Sequence, residues 1–440
     1  SNAAQLTVNS NPTASASNNS PFCEPGNLQL TGGASGGTIP YTWAWSGPSY
    51  TNSAQSPYIA NATPANNGEY TLTVTDDNGC QASDSTWVSI TAIPASPGLL
   101  PSTVCSGTSP EFTASNGFLY QFTLNGSEVQ AVSTDNTWQP GAGLSSGDVV
   151  CVNSVSPFNF DGIFESDWGS PLATSATGPA SGFGANRLNA LYLQSSNGFL
   201  YGAVAGNVEN NGNDRVLLFI DCQAGGYNTI SSWANQSNAH SSMQNLNDGI
   251  VFDTGFTPEY ILMINQWSGL VYYDLYNMVT NTMTALGSTL TSDHLGFTSN
   301  TNASDFTRGF EFALSLSDLG NPSGSIELFG MITNVGSSYP TFLSNQFITS
   351  AGASEGNYGD GAIDFNNEIP DPVSIGLLGS SCQSQTCITV TASPVATATN
   401  NSPFCETGNV QLTGGPGSMS SYAWSGPNGY TSNQQSPLIN

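Results

Sequence analysis

A chain of 440 residues is long for one domain, and two to four are expected. It has no lysine, three arginines (Arg187, Arg215, Arg308) and 30 carboxylates, for a formal charge of −27. Such a surface cannot neutralise phosphate, which excludes nucleic acid and anionic lipid as partners, whereas divalent cations are attracted to it. No run of 18 apolar residues is present, so no membrane insertion is expected.

Charged residues make up 8% of the chain against a usual fraction of about 25%, so Asn, Ser, Thr and Gly must supply the polar surface. Gly, Pro and Asn interrupt the chain every ten residues or so, and no long apolar period of 3.6 appears. Short strands and turns follow, and the fold class is all-β. Eight cysteines (23, 80, 105, 151, 222, 382, 387, 405) in such a chain point to an oxidising, extracellular compartment.

In chain order, residues 1–11 come first. Leu6-Thr7-Val8 aligns with Ile388-Thr389-Val390, which reads as the last strand of a preceding repeat. Alternatively, Ser1-Asn2-Ala3 is an expression-tag remnant and the stretch is tag plus linker. Residues 12–93 form the first full unit. Period-two alternation in "NLQLTG", "YTWAWS" and "EYTLTVT" predicts half-buried strands, and Asp76-Asp77-Asn78-Gly79 predicts a hairpin turn. Tyr70 stands where an immunoglobulin-type sandwich has its tyrosine corner, and Trp45 where that fold buries its core tryptophan.

The opening of this unit returns near the far end of the sequence. "NNSPFCEPGNLQLTGG" at 18–33 becomes "NNSPFCETGNVQLTGG" at 400–415, and Trp45-Ser46-Gly47-Pro48 becomes Trp424-Ser425-Gly426-Pro427. Residues 394–440 are therefore read as a truncated copy, and the whole as a window on a tandem array.

A variant begins at 94, with "TVCSG", "LYQFTLNG" and "DVVCV". Its expected final hairpin and strand do not follow until "SSCQSQTCITVTAS". Residues 94–156 plus 379–393 thus read as one sandwich split by an insertion, residues 157–378, into a loop of the kind that tolerates one. The other reading is three domains in plain succession. Insertion requires Cys105 to pair with Cys382 and Cys151 with Cys387, leaving Cys222 free. "GLSSG" at 143–147 matches G-x-S-x-G but runs into a strand instead of a helix, so it reads as a turn. No other motif suggests catalysis, and no enzyme is expected.

On "C-x-G" near the second strand and "NGC" after the penultimate one, the units at 12–93 and 394–440 resemble the Ig-like and PKD-like repeats of large secreted bacterial surface proteins of the adhesin, type IX-secreted kind. The resemblance implies a Cys23–Cys80 disulfide and a bacterial cell-surface location.

On "FID-x-x-x-GG-x-N" (Phe219, Ile220, Asp221, Gly225, Gly226, Asn228) and "G-x-E-x-x-x-x-L-x-x-LGNP" (Gly309, Glu311, Leu316, Leu319 to Pro322), residues 157–378 resemble family-9 carbohydrate-binding modules and DOMON-like sandwiches. The expected fold is tandem Ig-like β-sandwiches with a larger jelly-roll-like sandwich inserted into the second. That resemblance implies sugar contacts, for which the candidates are Trp168, Trp233 and Trp267, with Tyr227 and Asn228, the alternative being that Trp168 and Trp267 are core or rim residues. It also implies calcium, for which Asp161 with Asp221, and Glu355, Asp360, Asp364, Glu368 and Asp371, supply hard oxygen donors. The expected function is a non-enzymatic stalk or fibre displaying a lateral sandwich, or else a module attaching cells or enzymes to polysaccharide. Partners are then an extracellular glycan or neighbouring copies of the same protein.

Overall fold

The computed structural model describes residues 9–156, 158–174, 186–212, 214–230, 250–252, 255–289, 292, 294–302, 304–334, 342–348, 363–364, 372–377, 382–403 and 408–439. The architecture is all-β, with several open sheets, and the only helices among the described residues are single 3-10 turns.

The first unit packs Pro12–Asn18, Gly26–Gly36 and Tyr58–Ala62 against a four-stranded sheet ordered Tyr50–Asn52, Thr42–Gly47, Gly68–Thr75, Gln81–Val88. The alternation read from the sequence is the burial pattern: Leu28, Leu30, Tyr70, Leu72 and Val74 are fully enclosed and Trp45 is nearly so. The Tyr70 hydroxyl donates to the Asn66 carbonyl at 3.1 Å, four residues upstream, which closes the corner expected there. Asn67 acts as a piece of backbone, since its side chain donates to the Ile90 carbonyl (2.9 Å) and accepts from the Ile90 N–H (2.6 Å).

The second unit packs Gly98–Leu100, Phe112–Ser115 and Thr137–Trp138 against Ser127–Ser133, Tyr120–Leu124, Val149–Ser154 and Ser384–Thr389. The last of these strands arrives from 230 residues downstream. It pairs antiparallel with Val149–Ser154, putting Val150 opposite Ile388 and Cys151 opposite Cys387. Those two cysteines are bonded. The 143–147 stretch is a turn, in which the Asp148 carboxylate accepts from the Ser145 N–H at 2.7 Å.

Between these two strands the chain builds a larger pair of sheets. One runs Ala173–Thr174, Arg187–Ser196, Phe199–Asn207, Gly309–Ser315, Leu295–Phe297. The other runs Thr282–Ser288, Leu270–Asn277, Tyr260–Trp267, Asp214–Asp221, Ser325–Asn334, Phe342–Ile348, with Val373–Gly376 also pairing with Ser325–Asn334. Leu191, Val204, Phe310 and Phe312 from the first face Val216, Leu218, Leu262 and Ile332 from the second in a single core. Part of each outer face is covered as well. Phe158 and Trp168 lie on the first, and Phe252 and Phe256 on the second. Burial on both sides explains why "RVLLFI" and "YILMI" read as continuous apolar runs instead of alternating ones.

Two expected disulfides are corrected. Cys23 bonds to Cys382 with Cα atoms 5.6 Å apart, so neither Cys23–Cys80 nor Cys105–Cys382 forms, and Cys80, Cys105 and Cys222 are free. The reason is geometric. Cys23 pairs with Thr91, just beyond the Gly68–Val88 end of the hairpin, whereas Cys80 sits in the turn past the Thr75–Gln81 end. Eight residues of strand, roughly 25 Å, separate those ends, far more than a disulfide spans. Likewise Cys105 lies beside Thr391, at the opposite end of Ser384–Thr389 from Cys382.

Cys23–Cys382 is part of a broader seam between the first unit and the large sandwich. Thr91 Oγ1 donates to the Ser195 carbonyl (3.0 Å), and the Ala92 N–H to Gln194 Oε1 (3.1 Å). Ser170 Oγ donates to the Ala65 carbonyl (2.9 Å), and Trp87 packs on the large core. At Gly169, φ is +72°, and a Cβ there would lie 2.2 Å from the Pro64 carbonyl oxygen, so the seam admits only glycine.

Candidate functional site

The outer face of the larger sheet holds an open groove of about 420 Å³ lined by Asn211, Gly212, Arg215, Asn265, Trp267, Tyr272 and Asp274. Register explains the grouping. Arg215 is opposite Asn265, which is opposite Tyr272, so three adjacent strands present one side chain each at the same level. Trp267 and Asp274 share that face by the period of two.

Trp267 begins a tight turn in which Ser268 (φ +54°) and Gly269 (φ +82°) are both left-handed, and it pairs across the turn with Leu270. A second turn buttresses it. The Gly212 N–H donates to the Gln266 carbonyl (2.9 Å), and the Gly269 N–H to Asn210 Oδ1 (3.0 Å). Trp267 lies over Gly212, where a Cβ would come within 3.1 Å of the indole. The indole is thus held in place by backbone while remaining 60% exposed.

Polar groups flank the ring. Burial pushes the Arg215 guanidinium down to about 10, with nearby Asp274 acting in the opposite sense. Burial raises the Asp274 carboxyl, and Arg215 offsets it. The arrangement offers one flat aromatic face, with a phenol, amides and a compensated charge pair beside it.

Tyr227 and Asn228 do not join Trp267. The Tyr227 N–H donates to the Pro258 carbonyl and the Phe252 N–H to the Asn228 carbonyl, at the other end of the same face. Along Tyr260–Trp267 that separation is roughly 20 Å or more. A polar depression of about 470 Å³ lies at that end, lined by Asp221, Gln223, Asn321, Ser323 and Glu327 among others. It unites the two motifs that carry the family-9 resemblance. Trp168 is core, stacked on Phe158 with centroids 3.7 Å apart. Trp233, Glu355, Asp360, Glu368 and Asp371 lie outside the described residues, and of Asp364 only the backbone is described, in the strand Ile363–Asp364.

Asp161 and Asp221 form no joint site. Asp221 accepts from the Thr257 N–H on the larger sheet. Asp161 sits by the smaller one, where its carbonyl accepts from Thr298 Oγ1 (2.9 Å). Among the described residues no group of three or more His, Cys, Asp or Glu is placed to hold a metal ion.

Near Asp161 lies a buried acid, Glu311. Glu311 is fully buried, accepts from Trp168 Nε1 (2.9 Å) and the Gly162 N–H (2.6 Å), and is pushed by burial up to about 8, with Glu165 adding to the rise. Glu165 is itself raised by burial to about 7.

The residues that sequence reasoning missed (Asn211, Arg215, Asn265, Tyr272, Asp274) left a signal. Four of them are the polar or amphipathic breaks at outward-facing positions of otherwise apolar strands.

No protein-family model matches the chain, and no curated protein matches it significantly. Among solved structures it is similar to murine CEACAM1b (15% identity, TM-score 0.22, covering 33% of this chain and 92% of that one). It is also similar to carbohydrate-binding modules of the β-sandwich superfamily (12%, TM-score 0.21, 78% and 97%) and to a 1.5-MDa bacterial ice-binding adhesin (13%, TM-score 0.17, 77% and 91%). At TM-scores this low the likenesses carry no functional assignment. No helix among the described residues is long and apolar enough to cross a membrane.

Proposed function

We propose that the chain is a non-enzymatic segment of an extracellular array of β-sandwiches, in which residues 157–378 form a passenger inserted between the last two strands of the second sandwich. The observation that supports this is the ladder from Val149–Ser154 to Ser384–Thr389, with Cys151 and Cys387 bonded across it. Both ends of the passenger then leave from neighbouring strands of one sheet. The Cys23–Cys382 bond and the seam to the first sandwich fasten the passenger to the array at a second place. In this reading the array presents its passenger in a fixed attitude instead of on a flexible tether, as adhesive display requires.

The same reading gives the passenger a neutral glycan as ligand, held on the Trp267 face. A pyranose ring presents a flat C–H face that an exposed, prepositioned indole can cover, and Asn265, Tyr272 and the Arg215–Asp274 pair are suited to hydroxyls. With a charge of −27, acidic polysaccharides are disfavoured. Glycan-array binding of the whole chain tests this. Trp267→Ala should abolish binding to any neutral glycan hit while leaving the melting temperature within about 2 °C. Undiminished binding by that variant would remove the groove from the account.

A further inference from the structure

Each of the first two sandwiches carries a cysteine at the end where the chain leaves it. Cys23 and Cys105 each follow a proline by eleven residues (Pro12 and Pro94), and Cys405 follows Pro394 by the same interval. Cys23 and Cys105 also have the same surroundings. Cys23 pairs parallel with Thr91, and the next N–H, that of Glu24, donates to the Thr91 carbonyl (3.0 Å). Cys105 pairs parallel with Thr391, and the next N–H, that of Ser106, donates to the Thr391 carbonyl (2.8 Å). The way out is equally short in both, three residues from Thr91 to Pro94 and three from Thr391 to Pro394.

A second cysteine stands at the opposite end, where the chain arrives. Cys80 directly precedes Gln81–Val88, and Cys382 precedes Ser384–Thr389 by two residues. Each of those strands closes one edge of its four-stranded sheet. The turn before Cys80 lies by the start of its unit. There the Asp76 carboxylate accepts from the Thr38 N–H (2.9 Å), and a Cβ on Gly37 would come within 3.2 Å of the Pro12 nitrogen. Cys382 likewise lies where the linker comes in, since Ser384 Oγ donates to the Ala95 carbonyl (2.7 Å) and Thr386 Oγ1 to the Pro97 carbonyl (2.6 Å).

The Cys23–Cys382 bond therefore joins the exit cysteine of one sandwich to the arrival cysteine of the next. Cys80 and Cys105 occupy the matching positions and are free, the first half-buried and the second exposed. We infer that Cys23–Cys382 is one link of a repeating staple, and that Cys105 and Cys80 are sites for the same bond. Cys105 takes the arrival cysteine of a complete sandwich that starts at Pro394, and Cys80 takes the exit cysteine of a sandwich that leads into Pro12. A linker of the same length sets the same separation, and in Cys23–Cys382 that separation is 5.6 Å between Cα atoms, within a disulfide's reach. The oxidant is another disulfide, such as oxidised glutathione. One cysteine thiolate attacks it and releases one glutathione thiol; the second cysteine displaces the other, so two protein thiols are oxidised as one disulfide is reduced. Each such bond removes hinge freedom between neighbouring sandwiches.

Two longer chains, each with a complete sandwich at one junction, provide the test. In the first, a second copy of residues 12–93 replaces 394–440, so that Ser393 runs into Pro12, and the original unit carries Cys80→Ser. In the second, the copy is placed ahead of Pro12, so that Ile93 runs into Pro12 as it does into Pro94. Both are equilibrated with reduced and oxidised glutathione, alkylated and mapped without reduction. The first should give Cys105 joined to the added Cys80, with alkylation of Cys105 about tenfold lower than in the unaltered chain. The second should give a Cys23–Cys80 link beside Cys23–Cys382. That link should vanish with Cys23→Ser in the leading copy and survive Cys80→Ser there. Free Cys105 in the first chain together with no Cys23–Cys80 link in the second overturns the inference. So does a link lost through Cys80→Ser in the leading copy, which would place the bond within one sandwich. The inference rests on the array reading but fails separately from it. Free thiols at these junctions with Cys151–Cys387 intact refute the staple alone, whereas loss of Cys151–Cys387 refutes the split sandwich.

Discussion

Glu311 is a carboxyl buried without a cation, and its cost should be visible as a dependence of stability on pH. Its folded-state value lies near 8 against about 4.5 for a free glutamate, so folding favours its protonated form. The sign follows from linkage. The contribution is fully present below about pH 4.5 and is lost as pH rises towards and through 8, because the unfolded chain ionises first. At about 1.36 kcal/mol per pH unit, the full penalty approaches 5 kcal/mol. The hydrogen bonds from Trp168 and Gly162 are already included in it, and Glu165, raised to about 7, adds in the same direction. Denaturant unfolding of the large sandwich at pH 5 and pH 8.5 should therefore show a loss of about 3–5 kcal/mol in the native protein. Glu311→Gln should lower stability at pH 5 by about 1–3 kcal/mol, since an amide can accept only one of the two donors well. Its profile should then fall less steeply over the same interval, by the share due to Glu165 alone. Parallel profiles for the two proteins would show that Glu311 ionises normally in the fold and would refute the reasoning.

Two further substitutions probe the first sandwich by thermal and denaturant unfolding. Asn67→Ala strands both the N–H and the carbonyl of buried Ile90 and should cost about 2–4 kcal/mol. Tyr70→Phe keeps the ring in the core and removes only the bond to Asn66, so about 1 kcal/mol is expected. A loss from Tyr70→Phe equal to that from Asn67→Ala would mean that the ring, not the hydroxyl, had been disturbed.

Much of the fold was legible because short strands with one wet face announce themselves. Leu28, Leu30, Tyr70, Leu72 and Val74 alternate in sequence and are buried in the structure. The recurrence of "NNSPFC" has a similarly local cause, since Asn19 and Asn401 anchor the same turn to the same strand. The pairing of Val149–Ser154 with Ser384–Thr389 was legible only as a missing strand supplied later.

The Cys23–Cys382 bond was not legible. It depends on how two separately folded sandwiches dock, and nothing in local periodicity encodes that contact. The candidate sugar residues Tyr227 and Trp267 are not brought together, for a related reason. Tyr227 and Trp267 are both exposed aromatics on one face, but sequence does not give the length of strand between them. The companions of Trp267 come from cross-strand register, which sets Arg215, Asn265 and Tyr272 at one level.

The central claim is that one sandwich is opened between neighbouring strands to carry another and that the first sandwich is locked onto the passenger. Peptide mapping without reduction tests both halves at once. With three arginines and no lysine, cleavage must use an acid-specific or aromatic-specific protease. The account predicts linked peptides joining Cys151 to Cys387 and Cys23 to Cys382, with Cys80 recovered as a free thiol. Recovery of Cys23 joined to Cys80, or of Cys151 and Cys387 in separate peptides, would contradict it.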